Sequence, residues 1–189
     1  MSGTRIALVT GAASGIGAAT ARIFAQKGCR LLLLDRSESV ADLAAELGDA
    51  GHFIVDLADD RAIGAFVAEL KSRHERIDIL VNNAGIHRKN GGDKYALHEI
   101  DTPSWNEHIA VNLTAPFLLC RDLFPLLRRS GHGRVVNVTS RAGRTLSPMA
   151  AAHYSSSKAG LIGLTRVLAG EWARHGITVN SVAPGPIAT

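Results

Sequence analysis

Thr10-Gly11-Ala12-Ala13-Ser14-Gly15-Ile16-Gly17 decides how this chain folds. A β-type run, Arg5–Thr10, leads into it. A helical pattern leads out, with apolar residues at Ile16, Ala19, Ile23 and Phe24 and Gly28 placed to end it. Glycines at such a junction let the backbone turn tightly and come close to an anion, and the helix that follows offers free N–H groups and a positive dipole end. The spacing is G-x-x-x-G-x-G, and no Gly-Lys-Ser/Thr follows, which excludes a P-loop. The plain alternative is a tight βα turn with no ligand.

Working outward, the same alternation repeats. Arg30–Asp35 is a strand with four leucines and no polar alternation, as in strands buried on both faces of a parallel sheet. Helix follows over Glu38–Leu47, strand over Gly51–Val55, helix over Asp59–His74 and strand over Ile77–Asn82. A polar, Gly-rich stretch from Gly85 to about Thr102 precedes a long helical segment, Ser104–Arg129. Pro103 suits its first turn, a break is expected near Val111–Asn112, and a bend is expected at Pro116 or Pro125. Strand Gly133–Thr139, helix Tyr154–Arg174 and strand Ile177–Ala183 complete the chain. This order predicts one α/β domain over residues 1–189, a doubly wound parallel sheet. Right-handed crossovers put the first strand at the centre and reverse the strand order there, giving 3-2-1-4-5-6. Ligands of such sheets bind beyond the strands' carboxyl ends, where every motif of interest falls.

The chain has 189 residues, 46% of them hydrophobic and 20% charged, a globular composition. The longest uninterrupted aliphatic run, Leu31–Leu34, is far short of the roughly 18 residues of a membrane span, and no signal peptide pattern precedes the first strand. No membrane partner is expected. Cys29 and Cys120 are too few for a disulfide scaffold or a Cys-rich zinc site and read as reduced thiols of a cytoplasmic protein. The net charge is +4, but the basic residues are scattered without interleaved aromatics, so nucleic-acid binding is not expected. His153 and His175 have no metal-ligand spacing with other histidines or carboxylates, and no metal is expected.

Two further features carry chemistry. Asp35 ends the second strand 18 residues after Gly17, where a carboxylate can accept hydrogen bonds from an adenosine ribose. It would repel a 2′-phosphate and so favours NAD over NADP, although Arg36 beside it pulls the other way. Tyr154-Ser155-Ser156-Ser157-Lys158 puts a phenol and an ammonium four residues apart on one helix face. A free tyrosine, with a pKa of about 10, is a poor base at neutral pH. A neighbouring Lys favours the phenolate, and a tuned tyrosine can exchange a proton with an alcohol oxygen. A solvated i,i+4 pair would look the same in sequence.

In order along the chain stand the Gly turn, Asp35, Asn82-Asn83-Ala84-Gly85, Asn112, Ser140, Tyr154/Lys158 and Pro184-Gly185. Together they resemble the short-chain dehydrogenase/reductase family over essentially the whole chain. The resemblance implies a Rossmann fold, a nicotinamide cofactor, NAD before NADP, and hydride exchange with a small alcohol or ketone. It implies that Tyr154 is the acid/base, that Lys158 tunes it and binds the nicotinamide ribose, that Ser140 holds the substrate oxygen, and that Asn112 holds a water for proton relay. Gly11, Ser14, Gly15, Ile16 and Gly17, Asp35 and Arg36, Asp56 and Leu57, Asn83, Ala84 and Gly85 would contact the cofactor. So would Tyr154, Lys158, Pro184, Gly185, Ile187 and Thr189.

The resemblance also implies a homodimer or homotetramer paired through Ser104–Arg129 and Tyr154–Arg174. Leu118, Leu119, Leu123, Leu161, Leu164 and Val167 could serve that interface or the core. The pairing of Tyr154 with Lys158 separates this reading from a methyltransferase on a similar sheet. Family members continue past Pro184-Gly185 into a substrate-covering segment, another helix and a seventh strand, none of which is in these 189 residues. The expectation is therefore a complete cofactor half and an uncovered substrate half. The rival reading is a catalytically silent NAD-binding module.

Overall fold

A computed structural model describes residues 4–48 and 50–186. Six parallel strands form one sheet in the order β3-β2-β1-β4-β5-β6. They are β1 Ile6–Thr10, β2 Arg30–Asp35, β3 Ala50–Ile54, β4 Ile79–Asn82, β5 Arg134–Val138 and β6 Thr178–Val182. The helices are α1 Gly15–Gln26, α2 Val40–Leu47, α3 Asp60–Arg73, α4 Thr102–Ile109, α5 Ala115–Arg129 and α6 Ala152–Trp172. The strand order is the expected one, and β1 lies at the point where it reverses.

Continuous apolar strands are what two covered faces require. Successive residues of a strand point to opposite faces. Leu8, beside Leu32 and Leu80, packs with Phe66 and Leu70 of α3 and Leu119 and Leu123 of α5. Ala7, Val9, Leu31 and Leu33 face the other way onto Ala18 and Ala21 of α1 and Val40 and Leu43 of α2. Leu8 is fully buried, and its truncation to Ala would cost about 2–5 kcal/mol. Of the leucines left open by the sequence, Leu119, Leu123 and Leu161 belong to the core, while Val167 is exposed on α6.

Local chemistry explains the element ends. Asp35 Oδ1 accepts from the Ser37 N–H, and the Ser37 and Ser39 hydroxyls bond each other at 2.7 Å, so α2 starts at Val40 and not at Glu38. Asp59 caps α3 by accepting from the N–H groups of Arg61 and Ala62, and Asp101 caps α4 by accepting from Ser104 N.

The expected break at Val111–Asn112 is a widening. Residues Ala110–Thr114 form a π-turn between α4 and α5. Pro116 stands four residues after Asn112 and has no N–H, so the Asn112 carbonyl cannot find an α-helical donor.

This long segment, Thr102–Arg129, has 28 residues and contains an 18-residue window with a mean hydropathy of 1.3, enough by length and composition to cross a membrane, a property that uninterrupted aliphatic runs do not show. Here its apolar residues Leu119, Leu123, Leu126 and Leu127 are spent on the sheet. Burial pushes the Cys120 thiol up to about 12, which leaves it inert.

Polar groups are also buried between sheet and helix. Asn82 donates to Asn137 Oδ1 across β4 and β5 at 2.8 Å, Asn137 donates to Thr165 Oγ1 of α6 at 2.9 Å, and Thr165 donates to the Leu161 carbonyl. The chain fixes β4, β5 and α6 in register directly beneath the strand ends.

Candidate active site

Three clefts run side by side along the carboxyl ends of the strands. The first, about 330 Å³, is lined by Gly11, Ser14, Gly15 and Ile16 from the turn and by Asp35 and Arg36 after β2. Asp56 and Leu57 after β3 and Asn83, Ala84 and Gly85 after β4 complete it. The middle cleft, about 370 Å³, shares Ile16, Asn83 and Gly85 with the first and adds Ser140, Tyr154, Lys158, Pro184 and Gly185. The outer cleft, about 400 Å³, shares Ser140, Tyr154, Pro184 and Gly185 with the middle one. The result is one trough from Asp35 to Tyr154 and beyond.

Glycine is required at the turn. Gly11 has φ +64°, and a Cβ there would fall 2.7 Å from Ala84 Cα. Gly17 does not line the trough. It packs on the Gly11 carbonyl, so its part is to let helix and turn touch. The Asn83 carboxamide donates to the Thr10 and Gly11 carbonyls, and the Thr10 hydroxyl accepts from Asn83 N and Ala84 N, which joins the β1 turn to the β4 loop. Ser14 starts α1 without a side-chain capping bond, so the first-turn N–H groups at the trough are left for a ligand. Asp35 Oδ2 accepts from Ala13 N at 3.0 Å, fixing the carboxylate against the turn.

Around Tyr154 the side chains are tightly held. Lys158 is buried, donates to the Val138 carbonyl at 2.9 Å and lies 6.0 Å from the Tyr154 ring centroid. Burial lowers its pKa to about 8. A Cβ on Gly85 would sit 3.0 Å from Lys158 Nζ and 3.2 Å from Asn112 Oδ1, so only glycine leaves the space in front of the ammonium open. Ser140 Oγ accepts from Ala142 N at 3.1 Å and opens a 3-10 turn, Arg141–Gly143. Gly143 lets that turn close on the α6 backbone at Lys158.

Asn112 lies behind the trough wall. Its carboxamide accepts from Ile86 N at 2.8 Å and donates to the Ile86 carbonyl and to Ser157 Oγ, each at 3.0 Å. These three bonds use both Nδ2 donors and one of the two Oδ1 lone pairs, and the backbone carbonyl of Asn112 is the one Pro116 leaves without an α-helical donor. Ile187 and Thr189 lie outside the described residues.

The chain matches the short chain dehydrogenase family over residues 5–189. It belongs to that family. This short-chain dehydrogenase is 38% identical to a D-threitol dehydrogenase of Mycolicibacterium smegmatis, covering 98% of this chain and 71% of that one. Among solved structures it resembles a 3-oxoacyl-[acyl-carrier protein] reductase of Brucella melitensis with bound NAD. There the TM-score is 0.91 at 37% identity, covering 100% of this chain and 73% of the other. It also resembles RhlG of Pseudomonas aeruginosa in an active-site complex with NADP, with a TM-score of 0.89 at 36% identity, covering 97% and 73%. The dehydrogenase is an oxidoreductase, and these two structural neighbours hold NAD and NADP.

Around Tyr154 this short-chain dehydrogenase makes several contacts between segments that the sequence gives no way to pair. His87 stacks on the Tyr154 ring, with centroids 4.2 Å apart and planes 24° apart. Arg88 is clamped by Glu107 at 2.6 and 2.8 Å, and its N–H donates to His108 Nε2. His108 in turn donates from Nδ1 to the Ser104 carbonyl and stacks on His153 at 3.6 Å. His153 Nδ1 accepts from Tyr154 N, which places its proton on Nε2, a buried atom without a partner among the described residues. Burial, with His108 and His87 nearby, lowers the pKa of His153 to about 4. Among the described residues no group of three His, Cys, Asp or Glu is placed to hold a metal ion.

Proposed function

We propose that this enzyme oxidises a small secondary alcohol to a ketone, or runs the reverse reaction, with Tyr154 as acid/base and NAD(H) as the redox partner. The observation that carries this reading is the convergence of Ser140, Tyr154 and Lys158 in one cleft continuous with the Gly-turn cleft. The residues fit a dinucleotide. The uncapped start of α1 suits its phosphates, the Asp35 carboxylate suits an adenosine ribose, and the open space at Gly85 faces Lys158. When bound, the nicotinamide supplies the hydride acceptor or donor.

The protein's part is position and charge. Ser140 Oγ donates to the substrate oxygen and Tyr154 exchanges its proton, while the Lys158 ammonium stabilises negative charge on the phenol. Asp35 supports NAD over NADP, because a fixed carboxylate at the ribose position opposes a 2′-phosphate. Arg36 in the same cleft leaves some use of NADP. The free thiols Cys29 and Cys120 suit a cytoplasmic setting, and exposed Phe117 on α5 and Val167 on α6 suit a homo-oligomer paired through those helices. The silent-module reading is not favoured, since relatives as near as the D-threitol dehydrogenase are named as enzymes.

The test is NADH formation with a panel of secondary alcohols, comparing the protein with Tyr154→Phe. Loss of an acid/base should lower kcat by about 10²–10⁴-fold. Equal turnover by Tyr154→Phe would overturn the reading.

A further inference from the structure

We propose that the outer cleft selects a substrate carrying an oxyanion group, carboxylate or phosphate, on the same molecule as the carbinol. The proposal rests on the reading that the carbinol oxygen meets Tyr154. The outer cleft opens directly onto Tyr154 and Ser140 and lies on the side away from Asp35, so it is the space left to whatever hangs from the reacting carbon. Its charged lining is Lys89 and Arg141, from the loops after β4 and β5, and no carboxylate lines it. Met149, Ala142 and Ala150 supply apolar wall for a short carbon skeleton.

The contrast with the neighbouring residue supports a purpose for these cations. Arg88 is neutralised by Glu107 through a two-pronged pair. Lys89 and Arg141 have no carboxylate partner among the described residues. Arg141 grows from a fixed stem. Its N–H donates to the Pro184 carbonyl at 3.0 Å, and its carbonyl accepts from Arg144 N and Thr145 N. These bonds fix the backbone from which the side chain reaches, a guanidinium can grip an oxyanion through two parallel N–H bonds, and two cations without carboxylate partners beside a half-enclosed cleft raise the local concentration of anions.

The proposal is tested by binding to the NADH-loaded protein, read by NADH fluorescence, with two matched pairs. The first is 3-hydroxybutyrate beside its N-methyl amide, and the second is glycerol 3-phosphate beside glycerol. The expected result is that at least one anion binds about tenfold more tightly than its neutral partner, and that this preference shrinks when salt is raised from about 0.05 to about 0.5 M. Which pair shows it decides between carboxylate and phosphate. The Lys89→Gln/Arg141→Gln double variant should lose the preference and keep the affinity for NADH. Equal binding within both pairs, no binding of any probe, or a preference that survives the double variant would overturn the proposal. Failure of NADH itself to bind appears in the first titration, and it counts against the dinucleotide reading of the first cleft separately.

Discussion

The imidazole of His87 lies flat on the phenol ring of Tyr154, 4.2 Å between centroids. His87 comes from the loop after β4 and Tyr154 from the start of α6, so the contact joins two walls of the trough 67 residues apart in the chain. An aromatic pair of this kind contributes about 0.5–1.5 kcal/mol beyond burial. His87→Ala should therefore release the ring and lower kcat by about two- to tenfold, with KM for NAD unchanged, while His87→Phe keeps most of the activity. Steady-state kinetics on both variants decides it, and a kcat for His87→Ala equal to that of the parent would remove the positioning role.

Lys158 carries a charge in a buried place with one carbonyl partner. Its pKa falls from 10.5 to about 8 on folding, so between those values the unfolded chain binds more protons than the folded one. Stability should thus rise as pH rises from 8 towards 10.5, and below pH 8 the burial costs the full difference, about 3 kcal/mol. Lys158→Met should raise the urea midpoint at pH 7, lose that advantage near pH 10, and abolish turnover. A lower midpoint at pH 7 would contradict this account.

His153 behaves in the same sense at acid pH. Its pKa falls from 6.5 to about 4, so stability is intact above 6.5 and is lost as pH falls through that window towards 4. The loss should reach about 3 kcal/mol. Urea melts of His153→Gln should show a flatter pH dependence between 6.5 and 4 than the parent, and superimposable profiles would rule out His153 as the source.

Asp35 gives a cofactor prediction. On the proposed reading, replacing it with Ser removes a carboxylate that would oppose a 2′-phosphate and leaves Arg36 in the cleft. The ratio of kcat/KM for NADP to that for NAD should rise by about tenfold or more in Asp35→Ser. An unchanged ratio would mean that the discriminating group lies elsewhere.

Much of the fold was legible because its causes are local. The leucine run of β2 could only be a strand covered on both faces, and Pro, Gly and Asp marked helix ends within a residue or two. For the same reason the sequence placed the residues that follow strand ends, from the Gly turn and Asp35 to Ser140, along the trough. What escaped depends on contacts between distant segments. Nothing near His87 announces that it meets Tyr154, and nothing near Arg88 announces Glu107. The π-turn was read as a break because apolar spacing shows where a helix loses its period and not whether the backbone widens or stops. Asn112 stood out in the sequence, but nothing beside it named Ile86 and Ser157 as the partners of its carboxamide.

That single carboxamide splices three stretches, around residues 86, 112 and 157, that are remote in the chain. Its two bonds to Ile86 need the loop after β4 and the π-turn in place, and its bond to Ser157 needs α6 as well, so the full set requires that the long loops between these segments are closed. The amide proton of Ile86, shielded from exchange while Asn112 accepts from it, therefore reports in solution on whether these segments are joined.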